Sequence, residues 1–243
     1  MNQALEATYN EIKDIFENIE SFSSVELVEK YRKFWKPKDV KVILLAESHV
    51  FTTLEEMAII LPDIDTLEDY PKQYSKFVYC LAYGEKNLTK NSLHPKRDGT
   101  PQFWKIFYSC VNDIKSNECF RPIQSSTHFN ERIKNKIDIL NKMKDLGIWL
   151  VDTSIVALYD NGKKPKNMPE IIAKSWESYT KNIILDVKPK HIIVIGKGVA
   201  QTIEKSLKQN NLSYTVIAQP NAHLSADEHL KNFQSYYKLC NTN

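Results

Sequence analysis

Two carboxylates, two imidazoles and several hydroxyls stand where this chain passes from short apolar runs into polar loops. Glu47-Ser48-His49-Val50-Phe51 follows the run Val40 to Ala46, and Asp152 closes the run that starts at Ile148. Gly196-Lys197-Gly198 follows His191 to Ile195, and Gln219-Pro220-Asn221-Ala222-His223-Leu224-Ser225 follows Tyr214 to Ala218. A carboxylate paired with an imidazole can stabilise a developing cation, orient water and hydrogen-bond a departing anion. Each residue type also has a plainer use. Glu47 could cap the next helix or pair with a lysine, and a strand-end carboxylate such as Asp152 needs only a partner or water. His49 and His223 could be satisfied loop histidines, Phe51 a core ring and Ser225 a helix cap. Gly196-Lys197-Gly198 lacks the third glycine of a dinucleotide fingerprint and the Lys-Ser/Thr ending of a phosphate loop, so it reads as close helix–strand packing.

The elements that must position these groups follow from periodicity. Leu5, Tyr9, Ile12, Ile15 and Ile19 recur at helical spacing, and Ser23-Ser24-Val25-Glu26 reads as a capping box for a second helix toward Trp35. Residues 1–36 therefore form N-terminal helices, ended by Lys36-Pro37-Lys38-Asp39. Branched runs predict strands at Val40 to Ala46, Ile148 to Thr153, His191 to Gly196 and Tyr214 to Ala218. Helices are predicted at Gln102 to Lys115, with Thr100 as cap and Pro101 as first residue, and at Asn130 to Leu146, stopped by Gly147. Further helices are predicted at Pro169 to Val187, at Gly198 to Gln209, and from Ser225 to Leu239 behind a second capping box, Ser225-Ala226-Asp227-Glu228. Residues 52–128 are the least patterned and read as a variable insert. Strands separated by helices imply parallel pairing, and a parallel sheet needs helices on both faces. The expectation is a single α/β domain over residues 1–243, a three-layer α/β/α sandwich with a central, mostly parallel four-stranded sheet. In such a sheet ligands bind beyond the carboxyl ends of the strands, which is where the residues above fall.

Composition narrows the class. Among 243 residues, 42% are hydrophobic and 26% charged, as in ordinary globular proteins. No apolar run is long enough to span a bilayer, and the N-terminus lacks the pattern of a signal peptide, so a cytoplasmic protein with no membrane partner is expected. A net charge of +3 does not by itself argue for nucleic acid. Basic stretches occur at Lys86 to Arg97, Arg132 to Lys144 and Lys163 to Lys166, each read as solvated surface or phosphate track. Cys80, Cys110, Cys119 and Cys240 include no C-x-x-C pair, so free, mostly buried thiols are expected and no metal or other cofactor.

At the strand ends the sequence resembles the uracil-DNA glycosylase superfamily. Ala46-Glu47-Ser48-His49 after its strand resembles that family's first motif, Gly-Glu-Ala-Pro-Gly, with Glu47 at the acidic position. Trp149-Leu150-Val151-Asp152-Thr153-Ser154-Ile155 is similar to the central run Leu-Leu-Asn-Thr/Ala-Val-Leu-Thr, with Asp152 at the base-reading asparagine. Ile192 to Gly196 resembles a later glycine-ended strand, and Gln219 to Ser225 the final His-Pro-Ser-Pro-Leu-Ser motif, one residue longer and with Gln219 at the histidine. The order of four motifs over roughly residues 40–239 carries the resemblance. It implies an enzyme that flips a nucleotide from DNA and breaks its N-glycosidic bond through an oxocarbenium-like sugar. Glu47 would stabilise that cation and orient water, with Asp152 and His223 as the other catalytic groups. Ser48, His49, Phe51, Asp152, Gly196, Lys197, Asn221, Leu224 and Ser225 would contact substrate: Phe51 by stacking, Leu224 by filling the vacated stack, Ser225 by holding a phosphate. An ionised Asp152 only accepts hydrogen bonds, so the resemblance implies an altered base with an exocyclic amine rather than plain uracil. DNA is the implied partner and a monomer the implied state. Competing readings are a binding member of the fold that does not cut, a hydrolase built on Ser48 and His49, and a nucleotide-sugar or dinucleotide enzyme.

Overall fold

The computed structural model describes residues 2–64, 66–89, 101–160 and 163–241. Four strands, β1 (Val42–Ala46), β2 (Ile148–Asp152), β3 (His191–Ile195) and β4 (Tyr214–Ile217), form one sheet in the order β2-β1-β3-β4, every pair parallel. β1 and β2 are buried along their whole length, which is why they read as continuous apolar runs rather than alternating ones.

The helices are α1 (Asn2–Lys13), α2 (Phe22–Phe34), α3 (Leu54–Met57), α4 (Pro101–Val111), α5 (Phe129–Leu146), α6 (Met168–Ser175), α7 (Lys181–Val187), α8 (Lys197–Gln209) and α9 (Ala226–Asn241). The chain moves one way across the sheet from β1 to β2, then back past β1 to β3 and on to β4. Right-handed crossovers place opposite moves on opposite faces. Accordingly α4, α5 and α9 pack together as one layer, while α1, α6 and α8 pack as the other. This is the expected α/β/α sandwich with extra N-terminal helices.

Local chemistry explains several boundaries. Gly147 ends α5 in the left-handed conformation, φ 78°, and a Cβ there would lie 2.6 Å from the Asp39 carbonyl, so glycine is required. Its own carbonyl accepts from the N–H groups of Lys41 and Val42, joining the end of α5 to the start of β1. The Ser225–Glu228 capping box forms as expected. The cap of α2 does not fall where expected: Ser21 Oγ accepts from Ser24 N–H, two residues ahead of the predicted Ser23. α1 stops at Lys13, so Ile15 and Ile19 pack against the core from outside a helix. α4 stops at Val111, short of Lys115, where the Asn112 side-chain amide donates to the Tyr108 carbonyl and competes with the next turn. Its predicted cap Thr100 lies outside the described residues. The helix predicted from Pro169 to Val187 is α6 and α7 joined by a π-helical turn, Trp176–Thr180. Within it Thr180 Oγ1 donates to the carbonyls of Asp152 and Thr153, anchoring the end of β2.

Residues 52–128 are less peripheral than a variable insert. Tyr74 and Phe77 to Ala82 are almost fully buried. Tyr79 Oη accepts from the Leu150 N–H on the outer edge of β2, satisfying a buried edge-strand donor. Tyr70 Oη donates to the Tyr79 carbonyl and accepts from Leu81 N–H, fixing that strap.

Candidate functional site

The sheet order reverses between β1 and β3, the topological switch point where loops diverge and leave a crevice. A cleft of about 310 Å³ lies there. Glu47 and Ser48 enter it from β1, Ile195 from β3, and Gln219 to Asn221 from the loop after β4; Pro101 to Phe103 at the start of α4 and Tyr159 close it. The loop after β1 is fixed by backbone bonds, Ser154 N–H to the Glu47 carbonyl and Phe51 N–H to the Tyr159 carbonyl, and by Leu158 N–H to Ser48 Oγ.

Glu47 is the carboxyl group of this cleft. Burial raises its pKa, and the Asp152 carboxylate pushes the same way; hydrogen bonds with Tyr159 and Gln219 and the charge of Lys164 oppose the rise without cancelling it. Tyr159 answers with a pKa pushed up to about 12, by burial first and then by the Glu47 carboxylate. Gly196 has φ 111°, and a Cβ on it would stand 2.8 Å from Gln219 Cγ. The glycine therefore serves the cleft by making room for the amide that meets Glu47. A carboxyl with a raised pKa in a partly closed cleft can orient water, take up a proton or face a developing cation.

The structure separates the residues the sequence grouped. Glu47, Ser48 and Asn221 line the cleft, with Gly196 beneath Gln219. Asp152 does not: its side chain is 2% exposed, 3.5 Å from Arg32 Nη2 and 3.6 Å from His49 Nδ1. The expectation that it opens onto a base is corrected by register, because Asp152 pairs with Ala46 and shares that residue's face, while Glu47 is one residue further on. His49 is also turned away. Its Nε2 lies 2.6 Å from Glu20 Oε1, which accepts from Ala157 N–H as well, while Glu20 Oε2 accepts from Ser24 Oγ. Arg32 Nη1 in turn donates to Glu29 Oε2 at 2.6 Å. Three carboxylates, one guanidinium and one imidazole thus form a buried chain behind the sheet end. Burial would lower the His49 pKa, but Glu20 and then Asp152 outweigh it and raise it to about 9. Ser48 and His49 consequently form no nucleophile–base pair.

Phe51 is partly buried outside the cleft, and Phe103 supplies the ring there instead. Lys197 is exposed at the start of α8, and His223 is exposed in its loop; neither lines the cleft. Leu224 is partly buried in that loop, and Ser225 is occupied as the α9 cap. Tyr159, Phe103 and Glu20 were missed by the sequence reading. Tyr159 ends an apolar run that continues past β2, which was its available signal.

The described residues hold no group of three His, Cys, Asp or Glu placed to bind a metal ion. Cys80, Cys110, Cys119 and Cys240 are free thiols, all but Cys119 buried. No helix among the described residues is long and apolar enough to cross a membrane. Comparison with protein families, curated proteins and solved structures finds no match to this chain.

Proposed function

We propose that the chain is an N-glycosidic bond hydrolase of the DNA base-excision type, acting as a cytoplasmic monomer on a flipped, altered base. The observation that carries the reading is Glu47: a carboxyl with a raised pKa, at the switch point of a parallel sheet, in a cleft also lined by two aromatic rings and three amides. Glu47 faces the sugar cation and orients water. Phe103 offers a stacking surface, and the Gln219 and Asn221 amides each offer a donor and an acceptor for a base edge. The resemblance of Ala46-Glu47-Ser48-His49 and Gln219 to Ser225 to the glycosylase motifs supports the same assignment. Base choice rests with the amides rather than with Asp152.

The test is release of base from oligonucleotides carrying one uracil, hypoxanthine or other altered base, read as alkali-labile abasic sites. Glu47→Gln should lower that release by about a hundredfold or more. A variant as active as the parent chain, or no abasic product on any substrate, overturns the proposal. A second reading, a nucleic-acid-binding member of the fold that does not cut, is favoured by the donors that already occupy Glu47 and by the seclusion of His49 and Asp152. It requires salt-sensitive DNA binding that Glu47→Gln leaves intact.

A further inference from the structure

α4 separates two concavities. Its first residue, Pro101, lines both; Gln102 and Phe103 line the Glu47 cleft, while Trp104 and Lys105 line a second cleft of about 340 Å³. The second cleft is built on an unequal charge count. Arg132 clamps Glu85 through two bonds, Nε to Oε1 at 2.8 Å and Nη2 to Oε2 at 2.7 Å. Lys136 Nζ reaches the same Oε1 at 2.6 Å and lies 4.7 Å from the centre of the Trp104 ring. The side chains of Glu85 and Lys136 are 2% and 5% exposed and that of Arg132 is 15% exposed. Among the described residues one carboxylate therefore faces two cations where water is scarce, and Lys105 stands on the wall, its Nζ 5.4 Å from the centre of the Phe120 ring. Such an excess is costly unless an anion completes it. Burial first, and to a lesser degree the Arg132 charge, lower the Lys136 pKa despite Glu85. Exposed Gln124 and Ser125 bring neutral donors to the rim.

We propose that this cleft is a phosphate subsite, holding a nucleotide phosphate of the ligand whose base and sugar occupy the Glu47 cleft, so that one substrate spans α4 across Pro101. The assignment of a nucleotide rests on the reading of the Glu47 cleft given above; the demand for an anion rests on the Glu85, Arg132 and Lys136 triad alone. Several oxygens on one phosphate match two cations and neutral donors better than one carboxylate does.

Lys105 makes no bond to Glu85, so its substitution tests the subsite without breaking the triad. Affinities of the full chain for a single-stranded DNA oligonucleotide and for a deoxynucleoside 5′-monophosphate are measured between 50 and 200 mM salt, with thermal unfolding checked in parallel. Lys105→Gln should reduce the oligonucleotide salt slope by about 0.7, which narrows the affinity change across that range about threefold, and Lys105→Glu should reduce it further. Weakening of both probes places a single phosphate in the cleft; weakening of the oligonucleotide alone places the polymer backbone there. Equal slopes and affinities in folded parent and variants, or no binding of either probe, overturn the subsite. Base release with an unchanged salt slope would keep the Glu47 reading and sink the subsite, and a lost slope without base release would do the reverse.

Discussion

His49 Nε2 stands 2.6 Å from Glu20 Oε1, with both side chains wholly removed from solvent. The imidazole lies between two carboxylates, since Asp152 Oδ2 is 3.6 Å from its other nitrogen. A neutral ring there would leave Glu20, Asp152 and Glu29 against Arg32 and the partly exposed Lys33, whose Nζ is 3.8 Å from Glu29 Oε1. The fold therefore stabilises the imidazolium, which makes His49 a structural cation rather than a group available to substrate.

Stability should consequently depend on alkaline pH. The folded pKa of His49 is raised to about 9 from 6.5, so its contribution is complete below about 6.5 and disappears as pH rises through 9. The shift corresponds to about 3 kcal/mol. Denaturant unfolding between pH 6 and 10 should show that decline. His49→Gln should flatten it, and Asp152→Asn should move it to lower pH while leaving any base preference unchanged. A His49→Gln profile parallel to the parent's would contradict the assignment.

Glu47 should shift stability in the same direction but at lower pH, because there the fold favours the neutral form. Its raised pKa means that the ionised carboxylate is disfavoured by folding, so stability from this group falls as pH climbs above the ordinary carboxylate range. At neutral pH Glu47→Gln should melt at or above the parent temperature while losing base release. That combination marks a group kept for activity at a cost in stability. A clear drop in Tm would assign Glu47 to the scaffold instead.

What the sequence made legible was local. The four strand runs, the glycine stop at Gly147 and the Ser225–Glu228 cap depend on neighbours within a few residues, and all appear in the structure. The rule that sites gather at strand ends located the cleft through Glu47, Ser48 and Asn221. Side-chain direction was not legible, because it depends on register: pairing Asp152 with Ala46 puts it on another face from Glu47. Nor could periodicity reveal that a loop glutamate, Glu20, meets a histidine 29 residues later. Arg32 did carry a signal. It lies seven residues after Val25 on the buried face of α2, a position where a charge needs partners.

The Glu85 triad predicts an acid limb. Burial alone would raise the Glu85 pKa, but Arg132 and Lys136 hold it below the ordinary value. Its contribution is therefore present above the unfolded pKa and lost as pH falls through the depressed folded one. Glu85→Gln leaves two cations facing each other and should cost about 3–5 kcal/mol at neutral pH. Urea unfolding of this variant should also lose part of the parent's decline below pH 5. Equal stability at pH 7 would show that water already reaches the triad.

Gly196 links the scaffold to the chemistry. Alanine at φ 111° is strained whatever surrounds it, about 1–3 kcal/mol, and its Cβ would also press on Gln219 Cγ at 2.8 Å. The two costs are separable. Gln219→Ala in the same chain should relieve the contact but not the backbone strain, so the double variant should be more stable than the sum of the single changes requires. Since the Gln219 hydrogen bond favours the ionised form of Glu47, its displacement should raise the Glu47 pKa further. The acid limb of any base-release profile should then move to higher pH in Gly196→Ala. Additive stabilities and an unmoved limb would mean that Gln219 yields freely and that Glu47 is poised by Tyr159 and Lys164 instead.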